Sequence, residues 1–115
     1  MIHYNKLVRD KIPEIKAREK KKIEYHEART DEEYWHKLKE KLQEEIDEFG
    51  KRGDIGSFGD VLEVLEAVRD FKKFDHEVLT ALKKDKKKSQ GGFEKRIVLQ
   101  QSEDEIGERQ EQTEI

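Results

Sequence analysis

Glu44, Glu45 and Glu48 lie just before Phe49-Gly50. Across the stretch Lys51-Arg52-Gly53-Asp54-Ile55-Gly56 two more acids follow, Asp60 and Glu63. Residues three or four apart share one face of a helix. Glu45 with Glu48, and Asp60 with Glu63, therefore each form a carboxylate pair pointing one way if the flanking segments are helical. An antiparallel hairpin would turn the two pairs toward each other. Carboxylates aimed at one point repel unless a positive group sits between them, and a hard divalent cation such as Mg2+, which takes oxygen ligands, meets that need. In a chain that is 46% charged, acids at helical spacing also arise on ordinary solvated faces. The neighbours Val61, Leu62, Val64 and Leu65 favour the first reading, because they predict that Glu63 lies near the core, where an unpartnered carboxylate is costly.

Four helices are expected to position these groups. Tyr4 to Pro13 leads into a first helix, with Asp10 as N-cap, Pro13 in the first turn, and Ile12 and Ile15 as apolar anchors. It ends in the run Lys20-Lys21-Lys22, after which Ile23-Glu24-Tyr25-His26 alternates as a short strand would. Thr30-Asp31-Glu32-Glu33 has the form of a capping box. It opens a second helix whose apolar stripe is Tyr34, Leu38, Leu42, Ile46 and Phe49, stopped by Gly50 and Gly53. A third helix runs from about Ser57, as N-cap, to Phe71, with Phe58, Val61, Leu62, Leu65 and Val68 inward. Asp75 caps a fourth, with Phe74 packing on Leu79 and Val78, Leu79 and Leu82 on its buried side up to the Lys83–Lys88 run. Ser89 to Gly92 forms a turn, Phe93 to Leu99 an extended arm or strand, and the acidic residues 103–115 a disordered tail.

The length of 115 residues fits one domain, expected over 1–102, with a modest core. Hydrophobic residues make up only 32% of the chain and the mean hydropathy is −1.14, so a monomer would bury little and association is expected to complete the core. With 25 basic and 28 acidic residues the net charge is −3, and the lysine runs lack interleaved aromatics, so nucleic acid is not an expected partner. No cysteine is present, which removes disulfides, thiolate nucleophiles and zinc–thiolate sites. The four histidines, His3, His26, His36 and His76, show no metal-ligand spacing. The apolar runs are too short to span a bilayer and no signal-peptide core opens the chain, so a cytoplasmic location is the default expectation.

Three blocks carry a resemblance. Tyr4-Asn5-Lys6-Leu7-Val8-Arg9-Asp10-Lys11-Ile12-Pro13 resembles the opening motif of small proteins related to phosphoribosyl-ATP pyrophosphohydrolase, within the all-α, MazG-like nucleoside triphosphate pyrophosphatases. Leu42 to Phe49 followed by Asp60 to Val64 resembles the paired metal-binding helices of that superfamily. Gly91-Gly92-Phe93-Glu94-Lys95-Arg96-Ile97 resembles the C-terminal Gly-Gly-Phe segment of its small members. The resemblance spans about residues 4 to 99. It implies a mostly α, antiparallel helix bundle with short extended terminal segments, assembled as a dimer or tetramer. It further implies Mg2+-dependent (or Mn2+-dependent) cleavage of the α–β phosphate bond of a nucleotide, giving a monophosphate and pyrophosphate. By the same resemblance Glu45, Glu48 and Asp60 are the catalytic metal ligands. Glu63 is a further candidate ligand, and Glu44 stands beside them.

One position departs from the pattern. The superfamily places a Glu three residues before the Asp, and here that residue is Ser57, a poor ligand for a hard dication. Glu63 can compensate one turn further on. Otherwise the chain is a non-catalytic nucleotide-binding or assembly module of the same fold. Phosphate groups require Arg and Lys, Arg especially for its bidentate geometry. Lys6, Arg9 and Lys11 are the first candidates, Lys95 and Arg96 the second. With no Cys and no Ser–His arrangement, water is the expected nucleophile.

Overall fold

The computed structural model describes residues 2–106. It is mostly helical, with α1 Ile12–Arg18, α2 Asp31–Arg52, α3 Ile55–Lys72 and α4 His76–Gln90. Among the described residues there is no strand. Ile23 to His26 and Phe93 to Leu99 are both non-helical without ladder pairing, so the strand expected at Ile23 does not form. Of the expected disordered tail, 107–115 lies outside the described residues. The chain divides into two units, Met1–Asp75 and His76–Ile115. Among the described residues no helix is long and apolar enough to cross a membrane.

The first unit is built on a hairpin of α2 and α3, the long helices of the chain. Thr30 caps α2, its hydroxyl accepting from the Glu33 N–H at 3.0 Å. The reciprocal bond differs from a standard capping box, because the Glu33 carboxylate accepts from the Arg29 N–H (2.7 Å) and contacts the His26 ring (2.7 Å). The loop before α2 is thereby tied to its first turn. Gly50 lies inside α2, and the helix stops at Gly53, whose left-handed φ of 63° is open to glycine without a steric penalty. Only Gly53 and Asp54 separate α2 from α3, so the two run antiparallel. Aromatic pairs pin both ends: Phe71 meets Tyr34 edge-on (5.2 Å) and stacks on Trp35 (5.9 Å), while Phe49 meets Phe58 at 5.3 Å. The Lys72 ammonium lies 4.1 Å from the Trp35 ring centre, a cation–π contact.

Two helix starts differ from expectation. The residue before α1 is Lys11, with no side-chain cap, and Asp10 lies outside, although Pro13 is in the first turn as expected. The N-cap of α3 is Asp54, not Ser57. A carboxylate three residues ahead of the expected cap wins because it serves two donors at once, the N–H and the hydroxyl of Ser57.

The core is thin. Leu38 is the one fully buried apolar side chain among the described residues. On α3 the side turned inward is Ser57, Val61, Val64, Val68 and Phe71, all buried or half-buried. Phe58, Leu62 and Leu65, expected inward, are instead exposed by about the same fraction (45%, 44% and 44%), as is Ile46 of α2 (45%). A helix has room for one contact stripe against one partner, and α3 carries two apolar stripes. The second is left uncovered by the hairpin alone.

Candidate functional site

The N-terminal segment is the element that gathers the chemistry. It crosses the hairpin as a strap. The Asn5 carbonyl accepts from Lys37 Nζ of α2 at 2.7 Å, and Lys6 Nζ meets Glu44 of α2 at 3.2 Å. Three residues on, Arg9 reaches α3, where Nη1 and Nη2 donate to the two oxygens of Glu63 and Nη2 also to Asp60, each at 2.8 Å. Asn5 turns the chain into this path with a φ of 47°, a conformation that asparagine tolerates better than most residues. Residues 32 to 54 positions apart are thus joined, and both acidic helices are met by the four residues from Lys6 to Arg9.

The electrostatics follow from these bonds. The Arg9 guanidinium holds the Glu63 carboxyl below its ordinary value through hydrogen bonding and charge, and Glu63, with Asp60, pushes Arg9 up in return. Burial acts to raise the Glu44 carboxyl, but hydrogen bonds from Lys41 and Lys6 outweigh it and the net direction is down. Burial likewise acts to lower Lys41, and its bonds to Glu44 and Glu45 overcome it.

Each predicted acid has a basic neighbour. Glu45, whose side chain is well covered at 14% exposure, pairs with Lys41 at 3.2 Å. Glu48 is looser, 4.0 Å from Arg52. Glu63, expected near the core, is 59% exposed in its side chain and balanced by Arg9. Its apolar neighbours Leu62 and Leu65 are themselves exposed, so they do not draw it inward. Beside Glu44 and Glu48 runs an open groove of about 490 Å³, lined by Glu40, Gln43, Glu44, Asp47, Glu48 and Lys51, all from α2. Lys11 is exposed beside the start of α1. Lys95 and Arg96 belong to the second unit, where Arg96 closes a turn by donating its N–H to the Phe93 carbonyl.

Oxygens of Asp60 and Glu63 both accept from one nitrogen, Arg9 Nη2, at 2.8 Å, so the charge of these two carboxylates is met by a guanidinium of the chain itself. Glu45 and Glu48 are tied along their own helix and are not drawn to that point. Among the described residues no group of three or more His, Cys, Asp or Glu side chains is arranged to hold a metal ion.

Ser57 faces inward and is 3% exposed. Its N–H and hydroxyl both donate to the Asp54 carboxylate, and the hydroxyl also contacts the Asp54 carbonyl at 3.1 Å. These bonds, with Arg52, bring the Asp54 carboxyl down to about 2.

Three interactions at the site were missed in the sequence. Lys41 stands three and four residues before Glu44 and Glu45, a helical pairing signal that was readable. Asp54 as a cap was also readable, since Asp is a preferred N-cap. No local signal joins Arg9 to Asp60 and Glu63. Comparison with protein-family models, curated proteins and solved structures finds no match to this chain.

Proposed function

We propose that the chain is a Mg2+-dependent nucleotide pyrophosphohydrolase of the MazG-like, all-α type, cleaving the α–β phosphate bond of a nucleoside triphosphate. One observation carries this reading: a strap bearing Lys6 and Arg9 spans the acidic faces of two antiparallel helices and contacts Glu44, Asp60 and Glu63. Such a reaction needs cations on the phosphates and carboxylates for a dication, in one place. By the resemblance, Glu45, Glu48, Asp60 and Glu63 are the residues that would hold Mg2+. When bound, the ion supplies charge neutralisation of the phosphates.

The chain's own residues do the rest. Arg9 and Lys6 sit on an exposed strap, from which they can grip phosphate oxygens. Glu48, the most loosely paired of the acids, is the one free to take the proton of the attacking water. The products are the nucleoside monophosphate and pyrophosphate. The exposed stripe of Phe58, Leu62 and Leu65 with Ile46 suits association into a homodimer or tetramer, which sedimentation velocity would reveal.

A second reading is supported by Ser57. Where the resemblance places a carboxylate, this chain has a buried hydroxyl bound to Asp54, which suits a nucleotide-binding or assembly module without catalysis. Pyrophosphate release from a panel of nucleoside triphosphates separates the two, measured with Mg2+, with Mn2+ and with chelator. Metal-dependent release that is abolished in Glu45→Gln supports the enzyme. Nucleotide binding by calorimetry without release at any temperature supports the module.

A further inference from the structure

Ile55, Phe58, Leu62 and Leu65 recur along α3 at intervals of three, four and three residues, the spacing of a coiled-coil seam, and Arg69 continues the row four residues on. All four apolar side chains are exposed, Ile55 by 90%. The strap is held to α3 on the other side, through Asp60 and Glu63, which lie about 160° around the helix from the centre of the row. Ile46 borders the row from α2, one turn before Phe49, whose ring meets Phe58. We propose that two copies of this chain pack α3 against α3, antiparallel and centred near Leu62, so that each hairpin covers the row of the other. The inference rests on the reading of this stripe as an association surface, and on no catalytic residue.

Three observations commit the surface to a second copy. The first is spacing: a row with strict three–four intervals packs on a helix carrying a row of the same kind, and an identical α3 supplies one. The second is area. Ile46, Ile55, Phe58, Leu62 and Leu65 leave roughly 450 Å² of apolar surface on each copy, about 900 Å² for two. At the roughly 60% non-polar share of an interface this implies about 1,500 Å² in all, within the range of about 1,200–2,000 Å² for stable complexes. The third is charge, which sets the direction. Helix α3 begins at the Asp54 carboxylate and carries Arg69 and Lys72 in its last turn. A parallel pair would place Asp54 against Asp54 and Arg69 against Arg69, and like charges so opposed are costly. The antiparallel pair brings the acidic start of each helix to the basic end of the other and opposes their dipoles. The thin core adds a reason for the pairing to be permanent, because a hairpin with Leu38 as its one fully buried apolar side chain among the described residues gains its missing burial from the copy.

The test uses the full chain without nucleotide or metal. Sedimentation velocity over a concentration series compares the parent with Leu62→Glu, which sets two carboxylates near the two-fold axis, and with Tyr25→Glu, which adds a charge at an exposed ring outside the row. The pairing predicts that Leu62→Glu weakens the dimer about hundredfold or more while Tyr25→Glu leaves it unchanged, with helix content by circular dichroism preserved in both. A second measurement needs no disruptive change. The chain has no cysteine, so a nitroxide label on Leu62→Cys or on Arg69→Cys reports one site per copy. Position 69 is displaced from the centre in opposite directions in the two copies, which adds about 20 Å along the axes at 1.5 Å per residue. Dipolar electron paramagnetic resonance should therefore give a separation at position 69 longer than at position 62 by about 10 Å or more. A dimer with equal separations at both positions would overturn the antiparallel pairing, and a dimer untouched by Leu62→Glu would assign the association to another face. A parent that stays monomeric at every concentration would overturn the pairing together with the association read from the stripe.

Discussion

Replacing Ser57 by Glu restores the carboxylate that the resemblance calls for, and the structure predicts that the replacement damages the protein. Ser57 is 3% exposed on the side of α3 that faces α2, and its hydroxyl donates to the Asp54 carboxylate. Glu adds three heavy atoms to this enclosed position. Overpacking costs about 1–3 kcal/mol. The lost hydrogen bond to a charged acceptor costs about 1.5–3 kcal/mol, and the lower end applies because the rest of the acceptor stays in water. A carboxylate in the first turn of a helix returns about 0.3–1 kcal/mol. The net loss is about 2–4 kcal/mol, a large share of the roughly 5 kcal/mol that a small domain has in all. Ser57→Ala adds no bulk and loses only the hydroxyl, so its cost is about 1.5 kcal/mol.

Urea unfolding followed by far-ultraviolet circular dichroism, at one protein concentration for all three chains, measures these differences. The expected order of midpoints is parent, Ser57→Ala, Ser57→Glu. A Ser57→Glu chain as stable as the parent would refute the packing argument. If that chain also gained Mg2+-dependent pyrophosphate release, position 57 would be a ligand position after all.

Two other perturbations test the frame that carries the site. Leu38→Ala removes the only fully buried apolar side chain among the described residues and should cost about 2–5 kcal/mol, enough to leave much of the chain unfolded at 25 °C in thermal melts. Asp54 titrates at about 2 in the folded chain against an ordinary 3.8. A depressed carboxyl contributes stability that is complete above the unfolded value and is lost as pH falls through the folded one. Stability should therefore decline from about pH 3.8 toward pH 2, and Asp54→Asn, which removes this titration, should flatten that part of the pH–stability curve.

How much was legible in the sequence differs from element to element. The start of α2 at Thr30, its stop at Gly53 and the existence of four helices could be read, because caps, glycine and apolar period act over a few residues. The inward face of α3 could not. Its sequence offers two apolar stripes, one through Val61, Val64 and Val68 and one through Phe58, Leu62 and Leu65, and periodicity does not say which meets α2. The exposure of Glu63, expected near the core, follows from that choice, as does the burial of Ser57.

The sequence by itself determined which groups are available: five acids on two helices, three basic residues in the N-terminal motif, and no thiol. Their pairing was decided by the tertiary structure. Arg9 is 51 and 54 residues from Asp60 and Glu63, and nothing local distinguishes it from Lys6 or Lys11 as their partner. The strap's path across the hairpin selects it, since ion pairing depends on distance in space, and only the folded chain sets that distance.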